Sequence, residues 1–120
     1  CKFRRGLSLA MSLAKDTNKY LDENEPWQKF KTDPADAGTT LYYVLNVVNC
    51  LKVILNPYIP FSTNKLNNLL SIEKSVSECG WNWNPKEIEP GHKINEAHPL
   101  FLKLDDSIVE EELARLDIQQ

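Results

Sequence analysis

The feature that most constrains the fold is an apolar stretch in the middle of the 120-residue chain. Apolar side chains recur there at steps of three and four, which is the spacing of one helix face. A helix that is apolar on two faces needs neighbours on both sides, so we predict a central helix in an all-α bundle. One face is lined by Leu41, Val44, Leu45, Val48, Leu51 and Leu55, and the second by Val47, Cys50 and Ile54.

Prolines and hydroxyl residues set the limits of the two long predicted helices. The first helix covers residues 4–24 and ends before Pro26, because proline disfavours helical geometry in the residue that precedes it. A turn-rich connection follows, and Thr39 or Thr40 caps the start of the central helix. Pro57 ends that helix.

The rest of the chain is predicted to be less regular. Ser62 caps a third helix that continues to Leu70, and Ser107 opens a terminal helix over residues 107–118 with a capping box to Glu110. Residues 71–106 lack sustained periodicity, and an irregular stretch of that length is expected to wrap along the surface of the bundle. Its predicted anchors are large apolar side chains: Trp81, Trp83, Ile88, Leu100 and Phe101.

Composition and charge exclude several classes of protein. Hydrophobic residues make up 42% and charged residues 26%, which is typical of a globular protein. No uninterrupted apolar run reaches the length of a membrane span, so no membrane contact is expected. The net charge of −3 disfavours binding to nucleic acid through bulk positive charge.

The charge is unevenly distributed along the chain. Residues 1–31 carry seven Lys/Arg and four Asp/Glu, a balance of +3, whereas residues 73–120 carry five and eleven, a balance of −6. A basic amino-terminal segment can contact a polyanion. Solvated helix faces are the simpler explanation of these charges.

The sequence contains no motif for catalysis or metal binding. Three cysteines without a Cys-x-x-Cys pair favour a reducing, cytoplasmic environment over a disulfide framework or a zinc site. Cys79, His92 and His98 lack the remaining zinc ligands, and His92 is expected to bond to the backbone. Four scattered glycines cannot build a phosphate-binding loop. We therefore expect no catalytic residues, metal or cofactor in this chain.

Two tryptophans are the candidate binding residues. Trp81 and Trp83 alternate with Asn82 and Asn84, and aromatic and amide groups together can stack on an unpaired base and read its edge. On the residues alone, anchoring of the long loop is the favoured role for these rings. Trp27 is expected to plug the bundle at the end of the first helix.

Three motifs follow one another in the chain. They are Ala14-x-x-Thr17-Asn18-x-Tyr20-Leu21 with Glu25-Pro26-Trp27, then Leu55-x-Pro57-Tyr58-Ile59-Pro60 with Ser62, and finally Pro90-Gly91-His92-Lys93-Ile94 with Pro99-Leu100-Phe101-x-Lys103-Leu104. In order and spacing this set resembles the anticodon-binding domain of the methionyl-tRNA synthetases. Each motif is weak alone, but together they cover about 90 residues and are fairly specific.

The resemblance implies a helical bundle of the class I synthetase anticodon-binding type. Residues 1–120 would be most of that bundle, without its first helix and without the catalytic domain. The parent enzyme would be a methionine–tRNA ligase that uses ATP and Mg²⁺, and its His-Ile-Gly-His and Lys-Met-Ser-Lys-Ser type motifs do not occur here. The implied partners are the anticodon arm of tRNA(Met) and the catalytic domain of the same synthetase.

The resemblance also assigns binding residues. The family's stacking Trp precedes the Gly-His turn by nine or ten residues, and Trp81 stands ten before Gly91, whereas Trp83 stands eight before it. Trp81 is therefore favoured, with Trp83 as the alternative. Arg4 and Arg5 are candidates for phosphate contact, although they do not match the family's anticodon-reading Asn and Arg. The resemblance gives Trp27 and Asn18 structural positions.

A second function is also open at this point. The chain could be a free-standing helical module that descends from such a domain and now binds a protein. That alternative predicts an exposed apolar groove and no dependence of binding on an anticodon.

Overall fold

The computed structural model describes residues 2–117, and the side chains of residues 2–116. Within that part of the chain, every regular element is a helix and no strand occurs, which confirms the predicted all-α class. The helices are α1 (Phe3–Asn24), α2 (Pro26–Lys29), α3 (Pro34–Leu55), α4 (Pro60–Leu69), α5 (Val76–Cys79) and α6 (Ser107–Asp117).

The central element is α3, as predicted. It packs against α1, α2 and α4. Against the expectation from the sequence, α3 satisfies the length and hydropathy of a membrane span. It nevertheless buries three polar side chains, those of Asn46, Asn49 and Lys52. The nitrogen atoms of these side chains donate hydrogen bonds within the protein, Asn46 to the carbonyl of Tyr42, Asn49 to Glu87 and Lys52 to Asn67. Because buried donors need such partners, these contacts place α3 within the helical bundle.

The first helix lies along α3 and is held at its start by the turn that follows α3. The hydroxyl of Tyr58 donates a hydrogen bond to the carbonyl of Phe3 at 2.9 Å. A Cβ atom at position 6 would stand 3.0 Å from that hydroxyl oxygen. Gly6 therefore allows the α3–α4 turn to approach α1 closely.

The end of α1 confirms the prediction from Pro26. The helix stops at Asn24, and Glu25 takes a left-handed backbone conformation with a φ of 41°. The backbone N–H of Glu25 donates to the carbonyl of Leu21 and closes the last turn. Pro26 then opens the four-residue helix α2, which the sequence did not predict.

The starts of α3 and α4 differ from the predictions for one physical reason. Both helices begin at a proline, whose fixed φ suits the first helical position. Asp33 caps α3 by accepting a hydrogen bond from the N–H of Asp36 at 3.1 Å, so the helix starts at Pro34 and not at Thr39 or Thr40. Ser62 lies inside α4 and is not its cap.

The irregular segment is anchored by fewer apolar side chains than predicted. Ile88 is 2% exposed and Leu100 is half-buried, but the other predicted anchors are wrong because their side chains lie in solvent. Val76, on α5, is buried in their place, and a capping box between Ser75 and Glu78 starts that helix. The exposed members of the predicted set are Trp81, Trp83 and Phe101.

The terminal helix α6 extends away from the bundle. It begins at Ser107 itself, so Ser107 does not hold the cap position that a capping box requires. Position 118, its predicted last residue, lies outside the described residues. The side chains of Val109, Leu113 and Leu116 are exposed, and the described chain is elongated, with extents of 61 × 34 × 29 Å.

The two helix starts can be tested by removing one hydroxyl or carboxyl group at a time. Asp33→Ala should lower the free energy of unfolding of the chain by about 1 kcal/mol, because the cap of α3 is lost. Ser62→Ala should change it by less than about 0.5 kcal/mol, because Ser62 is not a cap. Urea unfolding followed by circular dichroism measures both, and the reverse order would contradict the observed helix starts.

Candidate nucleic-acid interface

The candidate interface is a loop that we define as residues 80–91 and call the tryptophan loop. It begins and ends at glycines with positive φ, Gly80 at 64° and Gly91 at 89°, a conformation that glycine adopts without steric cost. Between these turns, Trp81 is 71% exposed and Trp83 is 42% exposed. The loop thus presents two indole rings to solvent.

The middle of the tryptophan loop is stiffened by a local turn. The side-chain oxygen of Asn84 accepts a hydrogen bond from the N–H of Lys86 at 3.0 Å. The carbonyl of the same asparagine accepts from the N–H of Glu87 at 3.1 Å. Asparagine commonly nucleates turns of this kind, so the chain direction is defined immediately after Trp83.

The residues that follow the loop are tied to the end of α4. His92 Nε2 donates to the carbonyl of Leu70 at 2.6 Å, which confirms the predicted backbone contact of this histidine. Asn95 adds a backbone bond to the carbonyl of Leu69 at 2.9 Å and a side-chain bond to the carbonyl of Asn68 at 2.6 Å. The exit of the loop is therefore fixed by hydrogen bonds to backbone carbonyls.

A buried group of four side chains, which we call the polar cluster, connects the loop to the helices. Its members are Asn49, Lys52, Asn67 and Glu87. Lys52 Nζ donates to Asn67 Oδ1 at 2.7 Å and lies 3.8 Å from Glu87 Oε2. Asn49 Nδ2 donates to the same carboxylate oxygen at 2.9 Å. The cluster thus joins α3, α4 and the tryptophan loop.

Burial governs the electrostatics of the polar cluster. The side chain of Lys52 is 3% exposed and that of Glu87 is 26% exposed. Burial lowers the pKa of Lys52 from its ordinary value of 10.5, because the ammonium loses its hydration, and the nearby carboxylate of Glu87 opposes that shift.

Asn67 extends the cluster into the irregular segment. Its Nδ2 donates to the carbonyls of Ile72 and Lys74 at 3.0 and 2.8 Å, while its Oδ1 accepts from Lys52. All the hydrogen-bonding groups of this amide are used. The side chain of Asn67 therefore connects the ammonium of Lys52 in α3 to the backbone that leaves α4.

The two predicted arginines lie elsewhere in the structure. Arg4 and Arg5 are exposed in the first turn of α1, where they form a shallow groove with Lys2 and Ser8. Among the described residues, no hydrogen bond or ion pair joins them to the tryptophan loop. The structure brings Trp81 and Trp83 together on one loop and leaves the arginines on a separate element.

Two expected structural positions are corrected. Trp27 lies on α2 and is 56% exposed, so its ring does not plug the bundle. The preceding Pro26 is the buried residue at this helix end. Asn18 is also exposed.

The sequence contains one signal for the polar cluster. Asn49 and Lys52 lie three residues apart in an otherwise apolar helical stretch, and this spacing places them on the same face of α3. Polar residues at such positions are buried only when they are paired. Their partner Glu87 is 38 positions from Asn49 in the chain, and no periodic pattern connects the two.

A helical core that supports a loop of exposed aromatic and amide side chains defines an all-α recognition domain. Residues 2–119 match the family described as the anticodon binding domain of methionyl tRNA ligase. The chain belongs to this family.

Curated relatives agree with this assignment. The chain is 39% identical to a methionine–tRNA ligase of Dehalococcoides mccartyi, over 98% of this chain and 21% of the relative. It is 35% identical to that of Flavobacterium psychrophilum, over 97% of this chain and 17% of the relative. It is 36% identical to the ligase of Roseiflexus sp., over 96% of this chain and 24% of the relative. The chain thus spans about a fifth of the length of these relatives.

Removal of the Asn67 amide should strongly destabilise the fold. Asn67→Ala leaves the buried ammonium of Lys52 without its closest acceptor and two carbonyls without their donor, so we expect a loss of about 2–4 kcal/mol in the free energy of unfolding. The matched control is Asn68→Ala, because Asn68 is exposed on the same helix, and its effect should stay below about 0.5 kcal/mol. Urea unfolding measures both, and equal effects would contradict the role of the amide.

The lowered pKa of Lys52 should appear as a pH dependence of stability. Just below pH 10.5 the unfolded chain keeps the proton on this lysine, whereas the folded chain begins to release it. Since the unfolded state then binds more protons, the free energy of unfolding gains a component that rises with pH. Lys52→Met should lack this component, so the stability difference between the two proteins should change as pH rises from neutrality to 10.5. A constant difference would show that the pKa is not lowered.

Proposed function

We propose that this chain recognises the anticodon of tRNA(Met), as the anticodon-binding part of a methionine–tRNA ligase. The observation that carries the proposal is the exposure of Trp81 and Trp83 on a loop anchored to the core, in a chain of this family. Trp81, the more exposed ring, is assigned the stacking role, with Trp83 as the alternative.

The chemistry of the loop suits an unpaired base. Each indole offers a flat apolar face, and stacking of a base on an aromatic side chain contributes about 1–3 kcal/mol. The exposed amides of Asn82 and Asn84 are donors and acceptors that can meet the edge of a stacked base. Stacking provides affinity and the amides provide selectivity.

Contact with the phosphate backbone is assigned to the basic start of the chain. Arg4 and Arg5 are exposed and form a cationic groove with Lys2, and such groups position an RNA without reading its sequence. Because the net charge of the chain is −3, bulk attraction is not the source of affinity. The favourable contacts are local.

The catalytic chemistry is proposed to belong to the parent ligase. ATP and Mg²⁺ are proposed as ligands of its catalytic domain, and none of the described residues is assigned to them. The catalytic domain and the anticodon arm of tRNA(Met) are the two proposed partners. We also propose a cytoplasmic location, in keeping with the three cysteines and the absence of a Cys-x-x-Cys pair in the sequence.

A second candidate function is binding of a protein. It is supported by the number of large apolar side chains that are exposed in the segment after the bundle, in particular Leu102, Leu104, Val109 and Leu116. This function would not depend on an anticodon.

Substitution of each tryptophan in the full-length ligase tests the stacking role. Trp81→Ala should weaken binding of tRNA(Met) by about 1–3 kcal/mol, or about five- to 150-fold, because one stacked base loses its platform. Trp83→Ala is measured separately. Methionine activation without tRNA should be unchanged, because these side chains are not assigned to the catalytic domain.

Trp27→Ala is the matched control, since Trp27 is also exposed but lies on α2. It should bind tRNA(Met) like the unmodified ligase. If neither Trp81→Ala nor Trp83→Ala lowers the binding free energy of tRNA(Met) by more than about 1 kcal/mol, the proposed stacking role of the loop is contradicted. Binding that is also unaffected by anticodon changes would favour the protein-binding alternative.

A further inference from the structure

One charged side chain connects the tryptophan loop to the helical core. Among the described side chains between positions 80 and 91, Glu87 alone forms a hydrogen bond or ion pair with the helices. Its neighbour Ile88 is buried too, but apolar contact has no preferred direction. Glu87 therefore provides the directional attachment within the loop, in addition to the hydrogen bonds of His92 and Asn95 that fix its exit.

The partners of Glu87 are rigidly placed. Asn49 Nδ2 and Lys52 Nζ face the same carboxylate oxygen, at 2.9 and 3.8 Å, and both come from neighbouring turns of α3. Asn49 is fully buried in this central helix and Lys52 nearly so, so their side chains have little freedom. The carboxylate accepts a hydrogen bond from Asn49 and is paired electrostatically with Lys52, so two fixed groups of α3 restrict its position.

The polar cluster is better suited to fixing the position of the tryptophan loop than to raising the free energy of unfolding. Removing the Lys52 ammonium from water costs free energy that pairing with a partly exposed carboxylate recovers only in part, and apolar residues of similar volume often stabilise a core at least as well. Directional hydrogen bonds, in contrast, specify one arrangement of the groups they join. A loop that must present two rings in a fixed geometry requires this kind of support.

We propose that Lys52 and Glu87 are positioning residues that set the location and orientation of Trp81 and Trp83 for stacking on the anticodon. This inference rests on the proposed function. Glu87 follows Trp83 by four residues, and the covalent chain between their Cα atoms spans at most about 14 Å. Contacts that hold Glu87 against α3 therefore restrict the region in which Trp83 can lie. Lys52 is buried and acts on RNA through the loop alone.

A double-mutant cycle in the full-length ligase tests the proposal. The proteins are Glu87→Ala, the paired substitution Trp81→Ala/Trp83→Ala, and the combination of all three changes. Each is measured for binding to tRNA(Met) and to a truncated tRNA that lacks the anticodon arm, because stacking on the tryptophans does not depend on which base is present. Glu87→Ala should lose about five- to thirtyfold in affinity for tRNA(Met) and little for the truncated tRNA. In a protein that already lacks both tryptophans, Glu87→Ala should cause almost no further loss of affinity, because Glu87 affects binding only by positioning those two rings.

Three further variants and one control keep the test informative if Glu87→Ala folds poorly. Glu87→Gln still offers an acceptor to Asn49 and should retain more affinity than Glu87→Ala. Lys52→Met/Glu87→Gln removes both charges and should bind better than Lys52→Met alone, which leaves a carboxylate without its cation. Glu89→Ala removes an exposed carboxylate of the same loop and should bind normally.

The outcomes separate this inference from the proposed function. If the paired tryptophan substitution binds tRNA(Met) like the unmodified ligase, both fail. If it loses affinity but Glu87→Ala and Glu87→Gln do not, only the positioning role fails. Equal losses for the two tRNAs, or a Glu87→Ala effect that persists without the tryptophans, would also overturn it, because a general structural defect behaves in that way.

Discussion

Lys52 carries an ammonium group into the interior of the bundle, where 2% of the residue's surface reaches solvent. A charge in that position needs acceptors within the protein, and the acceptors come from distant parts of the chain. Asn67 provides one from α4, and Glu87 provides another from the tryptophan loop. One side chain of the central helix thereby determines how three segments meet.

The irregular segment depends on this arrangement because it buries little apolar surface of its own. Val76 and Ile88 are its buried apolar side chains within the described residues, and hydrogen bonds from Asn67, His92 and Asn95 supply the other attachments. Since these residues hold the segment, Trp81 and Trp83 are not needed as anchors and can face solvent. The residues that fix the loop and the residues that it presents are different ones.

The long helices could be predicted from the sequence because their information is local. Apolar side chains at steps of three and four located α1 to within one residue at its start. The start of α3 was misplaced because Gly38 suggested a turn, whereas the Asp33 cap and Pro34 had already begun the helix. The four-residue helix α2 starts at a proline and packs against α3, and α5 starts with a capping box; helices of that length are not stable without such support.

The candidate site was predictable in part. Alternation of Trp81 and Trp83 with amide residues identified the loop, and the family resemblance assigned its role. That the rings would be exposed did not follow from the residues, because a large apolar side chain in a long loop usually serves as an anchor. The polar cluster was missed because the contact between Asn49 and Glu87 joins distant positions. Asn49 is a polar residue in an apolar stretch, but no pattern in the sequence points from it to Glu87.

The solvent exposure of Trp27, Trp81 and Trp83 has a spectroscopic consequence, because the emission of an indole depends on the polarity of its surroundings. Trp81 is 71% exposed in the folded chain, so unfolding would change the surroundings and the emission of its indole least among the three rings. A base that stacks on the loop would instead place that indole in a new environment while the fold stays intact. The emission of Trp81 is therefore suited to reporting occupancy of the loop, and the peptide backbone is the better indicator of folding.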